Sequence, residues 1–140
     1  MTENTTPSDN PKASPHLVLV IDDDPNLRRI VELCLARFGE FIFCYAENGW
    51  QGVQLADTGL PELILLDFDM PEMDGLATLQ RLRANKRTEE TPVIALTGAI
   101  RLNERCDAMI KGCNDYLLKP FDFTRLGRMV QSYLPQAGPA

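Results

Sequence analysis

A chain of 140 residues, 44% apolar and with a formal net charge of −6, is sized for one domain with a real core. The acidic balance leaves no basic stripe to neutralise phosphates, which excludes a nucleic-acid surface and disfavours an anionic membrane. No apolar run approaches the ~20 residues of a membrane span, and no apolar core preceded by basic residues marks a signal peptide.

Residues 1–15, MTENTTPSDNPKASP, hold three prolines and no aromatic side chain, so a disordered leader is expected there. A single domain is expected over 16–134, and PQAGPA at 135–140 reads as a short tail. Within the domain, short apolar runs alternate five times with helical patterns. HLVLVI (16–21) is a strand, and Leu27, Ile30, Val31, Cys34, Leu35 and Phe38 follow at helical spacing. FIFCYA (41–46) is the second strand, with a weaker helix over 49–57. ELILLD (62–67) is the third, followed by a helix through Leu76, Leu79 and Leu82. PVIALT (92–97) is the fourth, with a helix over 101–111 that continues through Cys113 in its apolar pattern. DYLLK (115–119) is the fifth, and a helix over 123–134 closes the domain. Continuous apolar strands alternating with amphipathic helices mean a parallel sheet covered on both faces. Right-handed crossovers then give a doubly wound α/β sandwich.

Ligand sites in such sheets lie beyond the carboxyl ends of the strands. Those ends carry Asp22 and Asp23 (first strand), Asp67 (third), Thr97 (fourth) and Lys119 (fifth). Two carboxylates ~4 Å apart repel by ~4 kcal/mol at an effective dielectric near 20, so three on one rim call for a cation. Oxygen ligands in a half-built cage suit magnesium better than calcium, and DFDMPEMDG lacks the order of a calcium loop. Thr97 and Lys119 are donors a metal cannot use, and they imply an anion with several oxygens. A phosphoryl group satisfies the whole set, and one carboxylate could carry it covalently. Asp24 is set apart from the site: before Pro25 it reads as a helix cap. Cys34, Cys44, Cys106 and Cys113 show no Cys-x-x-Cys spacing and read as reduced, half-buried thiols. His16, the single histidine, reads as a strand entrance.

VIDDDP, LLDFDMPEMDG, ALTG and LLKPF, in that order and spacing, resemble the receiver domains of two-component response regulators from about His16 to Leu134. The resemblance implies a flavodoxin-like five-stranded parallel sheet in the order 2-1-3-4-5 with five helices. It implies that Asp67 is the phosphoacceptor for a sensor histidine kinase or a histidine phosphotransfer protein. Magnesium would be held by Asp23, Asp67 and the backbone carbonyl of Asp69, with Asp22 acting through a metal-bound water. Lys119 and Thr97 would meet phosphoryl oxygens, and Tyr116 matches the aromatic that moves with the threonine. It also implies a cis bond before Pro120, and a Gly75 placed for a positive φ. Gly98 stands where the family usually has alanine, and Asp69 lies at a position where members differ widely.

With no output domain expected after residue 134, the reading is a cytoplasmic, stand-alone signalling module rather than an enzyme. It would relay phosphate, or bind a protein target on the face formed by helix 101–111, strand 115–119 and helix 123–134. It would do so as a monomer or a phosphorylation-dependent dimer. Two alternatives stay open: a receiver-like binding module without phosphorylation, and a haloacid-dehalogenase-like phosphatase. The phosphatase motif is poorly matched, because Pro71 replaces its threonine or valine.

Overall fold

The structure, a computed structural model, describes residues 15–70, 73–98 and 112–134. Five strands, β1 His16–Ile21, β2 Phe41–Ala46, β3 Leu63–Asp67, β4 Val93–Thr97 and β5 Asp115–Leu118, form one sheet. All pairings are parallel, in the order β2-β1-β3-β4-β5. Four α-helices are present among the described residues: α1 Pro25–Leu35, α2 Gly49–Gly59, α3 Gly75–Ala84 and α4 Phe123–Tyr133. The helix expected over 101–111, with Cys106, lies outside the described residues, as do the expected leader up to residue 14 and the tail.

Alternate strand residues serve opposite faces, and the two cores follow that period of two. Val18, Val20, Leu63, Leu65, Ile94 and Leu96 pack with Leu27, Val31 and Leu35 of α1 and with Leu126 and Val130 of α4. Leu19, Ile21, Ile64, Leu66 and Val93 pack on the other face with Ala56 of α2 and with Leu79 and Leu82 of α3. β3 and β4 are buried at every position, which is why their sequences show no polar alternation.

The helix starts follow local chemistry. Asp24 accepts from the Asn26 amide with Pro25 in the first turn, Asn48 accepts from Gln51, Asp74 from Ala77 and Asp122 from Thr124. α1 ends at Leu35, earlier than its apolar spacing suggests, and Phe38 falls in a separate 3-10 turn, Ala36–Phe38. α2 runs to Gly59, two residues beyond the expected 57, and ends on Leu60 in the left-handed region (φ 48°) ahead of Pro61.

Corrections to the strand ends are small. β3 and β4 each begin one residue later than expected, and β5 stops at Leu118, so Lys119 is the first residue beyond it. Glu62, expected within β3, instead takes the His16 Nδ1 and Leu17 amide contacts at 2.7 and 3.3 Å. Cys34, expected to be half-buried, is buried and donates its thiol to the Phe123 carbonyl at 2.8 Å, tying α1 to the start of α4.

Candidate functional site

β1 and β3 lie side by side at the centre of the sheet, and their chain connections leave in opposite directions. The cleft expected at such a switch point opens above their carboxyl ends. Main-chain bonds set the depth of its floor. The Asp22 amide donates to Ala46, the Phe68 amide to Leu96 and the Lys119 amide to Thr97, at 3.0, 2.9 and 2.8 Å. Each exit residue is therefore held by the end of the neighbouring strand.

The carboxylates of Asp22, Asp23 and Asp67 converge so that one oxygen of each lies within 4.8 Å of the others. Asp22 is fully buried and Asp67 nearly so, whereas Asp23 is exposed and opens the cluster to solvent. One oxygen of Asp22 takes the Asp24 amide at 2.7 Å. The other, Oδ2, is buried with no hydrogen-bond partner among the described residues. Burial is the main reason the Asp22 carboxyl is pushed up to about 7. The charges of Asp67 and Asp23 add to the rise, while the Asp24 amide and Lys119 oppose it. Three converging carboxylates, one of them with a buried oxygen that has no hydrogen-bond partner among the described residues, are what a hard cation relieves, so these residues fit magnesium.

Asp67 Oδ1 accepts from Lys119 Nζ at 3.0 Å and from the Asp69 amide at 2.9 Å. Burial alone would lower the pKa of Lys119. The hydrogen bond and charge of Asp67, with the charges of Asp22 and Asp69, outweigh that and hold the ammonium above its ordinary value. Thr97 is buried at the end of β4. Its hydroxyl lies 3.4 Å from Asp69 Oδ1, and the Gly98 amide donates to Asp69 Oδ2 at 2.7 Å. Asp69 Oδ2 is also 3.9 Å from Lys119 Nζ.

All the residues expected on the rim are thus brought together. Tyr116 pairs in register with Ala95 of β4 and is 40% exposed, so its ring does not fill the sheet interior. The Lys119–Pro120 bond is cis. Gly75 is corrected: it opens α3 and is not among the glycines with positive φ. The residue is small for a different reason, because a Cβ there would stand 2.4 Å from Phe68 Cγ and 2.6 Å from Phe68 Cα.

Two features escaped the sequence reading. The Gly98 donor is a backbone group, to which residue type gives no clue. Arg83 places its guanidinium on the carbonyls of Gly112, Thr88, Glu89 and Thr91 and on Asn114 Oδ1, at 2.9–3.2 Å. It thereby joins the end of α3 to the segment entering β5; as a helix-face arginine it carries no signal that marks this.

The family model for the response regulator receiver domain matches residues 18–131. An uncharacterized 14.6 kDa protein of Leptolyngbya boryana is 40% identical over 83% of this chain and 88% of its own length. The DNA-binding dual master transcriptional regulator RpaA of a Synechocystis strain is 36% identical over 84% of this chain, which spans only 48% of that regulator. The receiver domain of the sensor histidine kinase PA1611 from Pseudomonas aeruginosa, solved with magnesium coordinated in its active site cleft, superposes with a TM-score of 0.77. It is 29% identical, and the alignment covers 86% of this chain and 98% of that domain.

Proposed function

The chain belongs to the response regulator receiver domain family of two-component systems, and from that premise we propose that Asp67 accepts a phosphoryl group from a phosphohistidine. The donor is a sensor histidine kinase or a histidine phosphotransfer protein. The observation that carries the reading is the convergence on Asp67 of Lys119 at 3.0 Å and of the Asp22 and Asp23 carboxylates within 4.8 Å.

In the transfer, an Asp67 oxygen forms a bond to phosphorus as the phosphorus–nitrogen bond breaks. The electron pair returns to the imidazole, which takes up a proton. Asp23, Asp67 and the Asp69 carbonyl would hold magnesium, with Asp22 behind a bound water. When bound, the ion supplies charge screening between the acceptor and the incoming anion. Lys119 holds the acceptor carboxylate in place and meets the developing charge on the phosphoryl oxygens. Thr97 and the Gly98 amide face the same space as hydroxyl and N–H donors.

The output is conformational. Thr97 moves toward the new oxygens, Tyr116 turns inward, and the face built from helix 101–111, β5 with Lys119, and α4 through Leu134 binds a protein target or passes the phosphate on. The helix of that face lies outside the described residues. The protein is a cytoplasmic signalling domain rather than an enzyme acting on a small substrate. It is a monomer or a phosphorylation-dependent dimer and uses neither nucleic acid nor membrane. No helix among the described residues is long and apolar enough to cross a bilayer.

The test is phosphotransfer. When a radiolabelled histidine phosphotransfer domain is mixed with the full chain, the label is expected to move onto the chain in magnesium and to stay on the donor in EDTA. Transfer that proceeds equally well in EDTA would remove the metal from this reading. A chain that gains no label from any histidine donor or from acetyl phosphate would remove the acceptor.

A further inference from the structure

We propose that the Asp69 side chain is an internal anion that occupies the phosphoryl-oxygen site of the resting protein and must leave before phosphate can enter. The inference rests on the reading of Asp67 as acceptor but assigns Asp69 a role beyond its metal-binding carbonyl.

The geometry points there through the donors. A tetrahedral anion bound to Asp67 would draw on three positive or N–H/O–H groups at this end of the sheet: Lys119 Nζ, the Thr97 hydroxyl and the Gly98 amide. In the structure the Asp69 carboxylate sits on all three. Oδ2 accepts from the Gly98 amide at 2.7 Å and lies 3.9 Å from Lys119 Nζ, while Oδ1 lies 3.4 Å from the Thr97 hydroxyl. The contact with Gly98 is short enough for a charge-assisted bond. Asp67 keeps the shorter contact with Lys119, at 3.0 Å, so the acceptor is held and ready while the oxygens' places are taken.

An exposed aspartate turned into the cleft, on a rim that already carries three carboxylates, would be repelled unless these donors compensated it. The donors explain why it turns inward. Asp69 is partly exposed, so it can swing out to solvent at little cost when a phosphoryl group competes for the same partners. Gly98 is not there to make room: a Cβ at that position would lie 3.4 Å from Asp69 Oδ2, an ordinary contact. Asp69 is in this sense a positioning residue, setting how readily the site is filled without touching phosphorus.

Phosphorylation by a small donor such as phosphoramidate should therefore be slowed by the bonds that Asp69 must give up. Giving up one charge-assisted bond corresponds to a factor of about ten or more. Two readouts on the full chain test this at fixed, saturating magnesium. The first is the rate of phosphorylation by phosphoramidate at subsaturating donor. It is expected to rise about tenfold in Asp69→Ala and by a smaller factor in Asp69→Asn, whose side-chain oxygen can still accept from Gly98. The second is the Gly98 amide proton shift in the unphosphorylated protein, expected downfield in wild type and upfield in Asp69→Ala.

Equal acceleration in the two variants would mean that lost negative charge alone is responsible, and would overturn the occupancy. So would an unchanged Gly98 amide in Asp69→Ala. A wild type that takes no phosphoryl group would overturn the reading of Asp67 instead, and the amide shift would still decide whether Asp69 occupies the donors.

Discussion

Asp22→Asn is expected to make the metal-free protein more stable and to weaken its magnesium binding by about 10–100-fold, the usual cost of losing an outer-shell partner. The two effects have one origin. Asp22 is fully buried, its Oδ2 has no partner among the described residues, and burial pushes its carboxyl from the ordinary 3.8 up to about 7. A carboxyl raised in this way favours folding below its unfolded value and loses that contribution as pH rises through about 7. At pH 8 the ionised group is therefore carried at full cost. With ~1.36 kcal/mol per unit of pKa, the rise from 3.8 to about 7 caps that cost near ~4 kcal/mol. Asparagine removes the charge, keeps an oxygen for the Asp24 amide and places a neutral N–H group where the partnerless Oδ2 now lies. A gain of ~2 kcal/mol in urea unfolding at pH 8 in EDTA is expected. Magnesium should stabilise wild type far more than the variant. A variant that is less stable in EDTA, or that binds magnesium as wild type does, would show that Asp22 is not a strained ligand-side carboxylate.

Gly75→Ala should disable the site from behind. The added Cβ would meet the Phe68 ring at 2.4 Å and Phe68 Cα at 2.6 Å. A ring can rotate away, but the main chain between Asp67 and Asp69 can only shift. Overpacking of this kind costs ~1–3 kcal/mol. The larger effect is on function, because a displacement near 1 Å at a reacting group can cost ~100-fold in rate. Phosphorylation by acetyl phosphate is expected to slow by tenfold or more while the fold persists by circular dichroism. Gly59→Ala is the control: nothing lies within 4 Å of its Cβ, so it should leave the rate unchanged. A Gly75→Ala protein that is phosphorylated at the wild-type rate would show that the Phe68 backbone does not set the acceptor.

The architecture was readable because its cause is written in residue type. A strand buried on both faces must be apolar up to its exit residue, as LILL before Asp67 and VIAL before Thr97 are, and a capping side chain such as Asp24 marks where a helix begins. The rim was readable for the same reason, since charged residues that follow such strands stand out. What stayed hidden depends on contacts that residue type does not encode. The Gly98 amide is an anchor for Asp69 through its backbone. Arg83 spends its guanidinium mostly on carbonyl oxygens, with no acidic partner among the described residues whose spacing could have revealed it. Gly75 was read as a conformational need when the structure makes it a matter of space, because sequence cannot distinguish a positive φ from a close neighbour.

The central claim is that Asp67, held by Lys119 and facing the Asp22 and Asp23 carboxylates, is the phosphorylated residue. Intact-mass spectrometry after acetyl phosphate treatment in magnesium tests it most directly, on wild type and Asp67→Asn side by side. One added phosphoryl group on wild type, absent from wild type in EDTA and absent from Asp67→Asn in either condition, is the expected result. A phosphoryl group still gained by Asp67→Asn would place the chemistry on another residue and contradict the claim.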